Sequence, residues 1–191
     1  MTSIAVIVGS TREGSYNRAL ARLAIDRLQA HGATVTAVDL AELDLPIYSD
    51  RLEKTDFPAD ALALKQLLAA HDGLLAVSPE YNGSVPALLK NAIDWASRPT
   101  GEEGPVALTA FRGKAAAIMS ASVSPFGGLR GLMHLRQILT TIQMIVIPEQ
   151  VLVPLAHAGF HEDGSLKEAL PATLVDMTAA RLVQVAGALA P

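Results

Sequence analysis

Ser3-Ile4-Ala5-Val6-Ile7-Val8-Gly9-Ser10-Thr11-Arg12-Glu13-Gly14-Ser15-Tyr16-Asn17-Arg18 passes from an unbroken apolar run, through a loop of small and hydroxyl residues, into a segment of helical spacing. A run without polar alternation suits a strand covered on both faces, as in a parallel sheet. Beyond it, Leu20, Ala24 and Leu28 recur at i, i+4 and i+8 with Leu23 beside them, and Arg18, Arg22, Asp26 and Gln29 take the opposite side. His31-Gly32 supplies the stop, so a helix is expected over 17–30.

The same strand-to-helix alternation continues outward from this unit. Further short apolar runs stand at Thr34–Leu40, Gly73–Val77, Ala115–Ser120 and Met144–Ile147. Helical spacing marks Asp60–Ala70, Val85–Ala96 with Ser84 as cap and Pro86 in its first turn, and Leu129–Gln143. A final helix carries a capping box at Ser165 and Glu168, and Pro171 is expected to split it, leaving 172–189 as the main piece. Strict alternation with right-handed crossovers gives an α/β protein, a three-layer α/β/α sandwich around a five-stranded parallel sheet. The expected strand order is the flavodoxin-like 2-1-3-4-5, in a single domain over 1–191, with no repeat or low-complexity tract.

Composition agrees. The 191 residues carry 15 Lys+Arg and 19 Asp+Glu, a net charge of −4, and half are hydrophobic, so the chain can bury a core without help from disulfides or structural metal. Zero cysteines remove disulfides, thiolate nucleophiles, iron–sulfur clusters and thiolate zinc sites, so redox chemistry would need a borrowed cofactor. Mild acidity and 4% aromatics argue against nucleic acid. No uncharged apolar run approaches the roughly 18 residues of a membrane span, and no basic segment precedes the first strand, so a cytoplasmic protein without membrane contact is expected.

In an open parallel sheet, ligands bind at the carboxyl ends of the strands, where strand order reverses. Three loops fall there. Residues 9–18 offer Ser10, Ser15, Asn17 and Arg12 before a helix N-terminus, a cradle for a monophosphate; the alternative is an ordinary turn capped by Ser15 or Asn17. Neither the three-glycine dinucleotide fingerprint nor the Gly-Lys-Ser/Thr of a Walker A loop is present. Ser78-Pro79-Glu80-Tyr81-Asn82-Gly83-Ser84 follows the third strand. Asn82-Gly83 permits unusual backbone angles that turn N–H groups toward a flat ligand with Tyr81 along its edge, although Asn-Gly is also a common turn. Ser120 to Gly128 follows the fourth strand, with small residues that let a ring approach.

GSTREGSYNRALA, SPEYNGSVPALLKNAIDW and SASVSPFGGLR, in that order, resemble the NAD(P)H-dependent FMN reductase family, which includes bacterial quinone and chromate reductases. The PEYN-x-S-x-P-x-x-LKNAIDW stretch is the specific part. The resemblance implies FMN-phosphate contacts at Ser10, Arg12, Ser15 and Asn17, and isoalloxazine contacts at Pro79, Glu80, Tyr81, Asn82 and Gly83, with Ser120 and Gly127 in a second flavin-side loop. Gly83 departs from relatives that often carry a larger, frequently aromatic residue there.

The expected activity is therefore hydride transfer from NADH or NADPH to FMN, then delivery of two electrons to a quinone, azo, metal-oxyanion or flavin acceptor, with no side-chain acid, base or nucleophile. A non-catalytic flavodoxin-type single-electron carrier is the alternative, but such carriers are strongly acidic and sandwich the flavin between aromatic rings. A flavin-free receiver domain would need an acidic cluster after the first strand, where only Glu13 stands. His157 and His161 lie in a segment that Pro154, Gly159 and Gly164 make irregular, so no metal is expected. Lys90 and Asp94 should form a helix-surface pair. Apolar residues on several faces of the Val85–Ala96 helix suggest a homodimer or homotetramer, with the loop after Ser97 helping to close the site of a neighbouring subunit.

Overall fold

The computed structural model describes residues 1–190. Five parallel strands, β1 (Ser3–Val8), β2 (Thr34–Val38), β3 (Gly73–Val77), β4 (Ala115–Ala121) and β5 (Ile145–Val153), lie in the order β2-β1-β3-β4-β5. The expected topology is the one observed. β1 is the hinge of the order, with Ile4 paired to Val35 on one side and Gly73 on the other.

Both faces of the three central strands are dry, which is why they read as continuous apolar runs. Ile4, Val6, Leu75, Val77, Ala117 and Met119 pack beneath α1 (Tyr16–Ala30) and α7 (Ala169–Leu189). Ala5, Ile7, Leu74, Ala76, Ala116 and Ile118 point the other way, beneath α3 (Ala59–Ala70), α4 (Ala87–Ala96) and α5 (Leu129–Thr141).

Several boundaries differ from those read in the sequence. β2 stops at Val38 because the Asp39 carboxylate accepts from the Ala41 N–H and opens a 3₁₀ turn over Leu40–Glu42. β5 runs six residues past Ile147, around a register shift where Pro148 removes a ladder donor at the sheet edge. α4 begins at Ala87 behind Pro86, and Ser84 bonds His134 rather than capping it. Pro171 does not split α7; it lies in the first turn, where an N–H has no partner to lose. Ser165 donates to Asp163, so the capping box is not formed. Two short helices without long periodicity, α2 (Asp50–Thr55) and α6 (Ala156–Gly159), were not anticipated.

Helix α7, with 21 residues, is long and apolar enough to cross a membrane by composition. Its placement is that of a core cover: Val175, Ala179, Leu182 and Ala186 are buried against the sheet, while Asp176 lies 3.0 Å from His31 Nε2 and Arg181 bonds Glu149 at 3.1 Å.

Two long connections are tied down by hydrogen bonds to helices. The segment after β2 lies on α4, where Asn91 Nδ2 and Trp95 Nε1 donate to the Pro46 carbonyl at 3.0 and 2.7 Å. Trp95 is thus a core residue, and Lys90 does pair with Asp94 at 2.6 Å. The connection after Ser97 lies at the opposite, amino-terminal rim. The buried Lys65 ammonium of α3 donates to the Arg98 carbonyl at 2.7 Å, to Thr100 Oγ1 at 3.0 Å and to the Glu103 carboxylate. Within its own chain this loop borders no part of the cleft at the carboxyl rim, which leaves only the contribution to a neighbouring subunit.

Candidate active site

Gly9 N donates to Val77 O and Ser78 N to Met119 O, so the chains leaving β1, β3 and β4 stay side by side as they enter their loops. Between them opens a cleft of about 340 Å³ lined by Ser10, Arg12, Ser15, Tyr16, Asn17, Pro79, Glu80, Tyr81, Ala121, Ser122 and Val123. Seven of the residues singled out in the sequence meet there. Asn82, Gly83, Ser120 and Gly127 do not line it: the first two form the adjoining turn, Ser120 is wholly buried with a hydroxyl that has no partner, and Gly127 lies against Leu152 and Pro154.

The first loop leaves its donors free. None of the backbone N–H groups of residues 11–17 donates to a protein acceptor among the described residues. Those of 11–15 precede, and those of Tyr16 and Asn17 open, a 15-residue helix at its positive end, the arrangement that binds anions. Ser15 does occupy the N-cap, although its Oγ lies 3.4 Å from the Arg18 N–H, a long bond that leaves the hydroxyl available to a better partner. Arg12 extends over the Tyr16 ring at 5.5 Å and is exposed, and Tyr16 stacks in turn on Phe160.

Asn17 has a second role that spacing alone did not reveal. Its Oδ1 accepts from Ala121 N at 2.9 Å and its Nδ2 donates to Ala121 O at 2.8 Å, a buried bridge that fixes the phosphate loop to the end of β4. What remains for an anion is its backbone N–H and one Nδ2 hydrogen. Arg18 was read as a wet-side residue; it instead donates to Ser10 O at 3.1 Å and to both oxygens of Asp39, bracing the loop from behind. Asp39 is held below the usual carboxylate range by the Ala41 N–H foremost and by Arg18.

The second loop is a tight hairpin turn. Tyr81 and Ser84 exchange backbone bonds of 2.9 and 3.0 Å, with φ of 50° at Asn82 and 76° at Gly83, the two positive angles of a type I′ turn. The Tyr81 N–H is thereby occupied, so it is not among the donors offered to a ligand; those of Glu80, Asn82 and Gly83 have no protein acceptor. The Glu80 carboxylate turns away from the turn to α5, accepting from Arg130 Nε at 2.8 Å and Gly131 N at 3.1 Å. Burial pushes its pKa up, but these donors outweigh that and hold it below the ordinary value.

The residues present suit FMN. A dianionic phosphate would meet free N–H groups, Ser10 and Ser15 hydroxyls and Arg12, and a flat ring would meet a cleft between segments 79–81 and 121–123. No group of three or more candidate metal ligands exists among the described residues.

Comparison with known proteins agrees with this geometry. Residues 2–158 match the model of the NADPH-dependent FMN reductase family. The chain is 41% identical over 144 residues to a 2-hydroxy-1,4-benzoquinone reductase of a Burkholderia species, covering 75% of this chain and 73% of that one. It is 38% identical over 161 residues to an NAD(P)H-dependent FMN reductase of Pseudomonas aeruginosa, covering 84% and 82%. Its fold superposes with a TM-score of 0.83 on the flavoenzyme NAD(P)H:(acceptor) oxidoreductase FerB of Paracoccus denitrificans, at 28% identity and 98% coverage of both chains. The chain belongs to the NADPH-dependent FMN reductase family and is an oxidoreductase that works with FMN and a reduced nicotinamide.

Proposed function

We propose that FMN lies in the three-loop cleft, with its phosphate on residues 10–17 and its ring between the loops after β3 and β4, and that the acceptor is a small quinone. The observation that carries this reading is the run of seven N–H groups at 11–17 without acceptors among the described residues, beside a cleft bordered by segments 79–81 and 121–123. When bound, FMN supplies acceptance of a hydride and delivery of two electrons.

The chain's own part is binding and orientation. Ser10, Ser15 and Arg12 hold the phosphate, the braces Asn17–Ala121 and Arg18–Asp39 hold the loop, and Tyr81 borders the slot. Free N–H groups at Asn82 and Gly83 are suited to the carbonyl and ring-nitrogen edge of a flavin, where negative charge grows on reduction. A slot open on one side admits nicotinamide and acceptor in turn. Quinone is favoured among acceptors by the similarity to the benzoquinone reductase of the Burkholderia species, and azo, metal-oxyanion and free-flavin acceptors share the same open entry.

The assembly proposed is a homodimer or homotetramer. Leu89 and Trp95 are buried within the chain, so the surface that supports association is the groove between α4 and α5, about 760 Å³, bordered by Val85, Ala87, Ile93, Ile138 and Ile142. Dependence on reduced nicotinamide favours the cytoplasm, and a net charge of −4 favours small-molecule partners over nucleic acid.

The deciding experiment is the visible spectrum of the purified, FMN-reconstituted protein, bleached by NADH or NADPH under argon and restored by a quinone. Flavin that bleaches and recovers supports the reading. Protein that retains no flavin overturns it.

A further inference from the structure

Helix α5 touches the second loop at two points one helical turn apart. Arg130 bonds the Glu80 carboxylate, and His134 Nδ1 lies 2.9 Å from Ser84 Oγ. Glu80 and Ser84 are the residues on either side of the Tyr81–Gly83 segment, so both shoulders of the I′ turn are tied to one rigid element. Between the two ties the backbones come close. A Cβ placed on Gly131 would stand 3.3 Å from Glu80 Cβ and 3.3 Å from Ser84 O, and the Gly131 N–H itself donates to Glu80. Arg130 also lies over Phe126 at 5.5 Å, which fixes its head, and its Nε is 3.9 Å from where a Gly83 side chain would begin.

We infer that Glu80–Arg130 and Ser84–His134 form a two-point clamp that sets the direction of the Asn82 and Gly83 N–H groups, making Arg130 and His134 positioning residues for the flavin ring. The inference rests on the proposed placement of FMN and adds two residues to it. A turn held at one shoulder can pivot about it; held at both, it keeps its plane. The clamp matters most to the reduced flavin, because donors aimed at an edge that gains negative charge stabilise it more than they stabilise the oxidised ring. Their direction, not their number, is what the clamp controls. Arg130 also holds a carboxylate whose side chain is 5% exposed, so loss of its guanidinium leaves that charge to backbone N–H groups at the start of α5 alone.

The test measures FMN dissociation constants of the apo-protein for oxidised and for dithionite-reduced flavin, with the midpoint potential as a second readout. The variants are Arg130→Ala, Arg130→Lys, His134→Ala and Gly131→Ala. Arg130→Ala and His134→Ala are each expected to weaken binding of reduced flavin about tenfold more than oxidised flavin, a shift of about 30 mV toward negative potential for a two-electron couple. Arg130→Lys should recover part of the loss, and Gly131→Ala, which wedges the helix from the loop, should reproduce it. A loss of general stability alone would weaken both redox forms equally. His134 is exposed, so its variant carries the test if Arg130→Ala does not fold. Parent protein that binds FMN while folded variants keep its ratio of affinities overturns the clamp alone. Parent protein that binds no FMN overturns the flavin reading as well.

Discussion

The two rims of the sheet treat polar groups in opposite ways. At the amino-terminal rim, Lys65 is buried and every hydrogen on its ammonium has an acceptor, while Glu103 accepts in addition from Thr109 and the Thr100 N–H. At the carboxyl rim, seven consecutive N–H groups have none. A long loop with its polar groups paired inside the chain has nothing left to offer a ligand. A short loop with its donors unpaired depends on solvent or a ligand to satisfy them. Loop length alone draws attention to Ser97–Gly113, yet within the chain that segment has its polar groups paired, and the shorter loop is the one with donors to spare.

The strongest way to break this contrast is Lys65→Met. It leaves Glu103 partly buried without its cation and should destabilise the fold by about 3–5 kcal/mol in urea titrations, while the folded fraction keeps its FMN affinity. A fall in affinity among folded molecules would mean that the amino rim reaches the site.

Acid probes the same pair. Burial pushes the Glu103 carboxyl up, but Lys65, Thr109 and the Thr100 N–H prevail and bring it from 4.5 to about 2. A depressed folded pKa gives stability that is present above the unfolded value and lost as pH falls through the folded one. The contribution should therefore fade between about pH 4.5 and 2, by roughly 2–3 kcal/mol. Glu103→Gln should lack that portion of the acid transition in unfolding curves recorded across this range.

At the carboxyl rim, Arg12→Ala and Asn17→Ala sharpen the difference between contact and brace. Arg12 is exposed, so its loss should cost about tenfold to a hundredfold in FMN affinity with stability changed by less than about 0.5 kcal/mol. Asn17→Ala removes two buried bonds to Ala121 and should lower stability by about 1–3 kcal/mol as well as affinity. Equal stability for the two variants, by thermal melting, would show that the bridge carries no weight.

The smallest effect is expected at Tyr81→Phe. The ring borders the cleft and its hydroxyl bonds nothing among the described residues, so turnover should change less than about threefold, and double-reciprocal plots should stay parallel, as one open entry requires. Intersecting lines with collapsed turnover would instead make Tyr81 a proton donor within a ternary complex.

The sequence by itself determined the architecture. Apolar runs without alternation, such as Ile4–Val8 and Leu74–Val77, mean strands dry on both faces, and periodic segments between them leave one economical winding. It also placed the loops after β1, β3 and β4 at one rim, because chain direction in a parallel sheet fixes that. Local spacing could not show which side chains in those loops are already engaged. Asn17 looked like a free amide until Ala121, 104 residues away, proved to hold it. Glu80 and Ser84 gave no sign of Arg130 and His134, because those pairings cross 50 residues and arise only when α5 packs against the β3 loop. Pro171 was misread for a related reason: whether a proline breaks a helix depends on where the helix starts, and packing of α7 on the sheet decided that. Short-range chemistry sets which elements form, and long-range packing decides which of their polar groups are left free for a ligand.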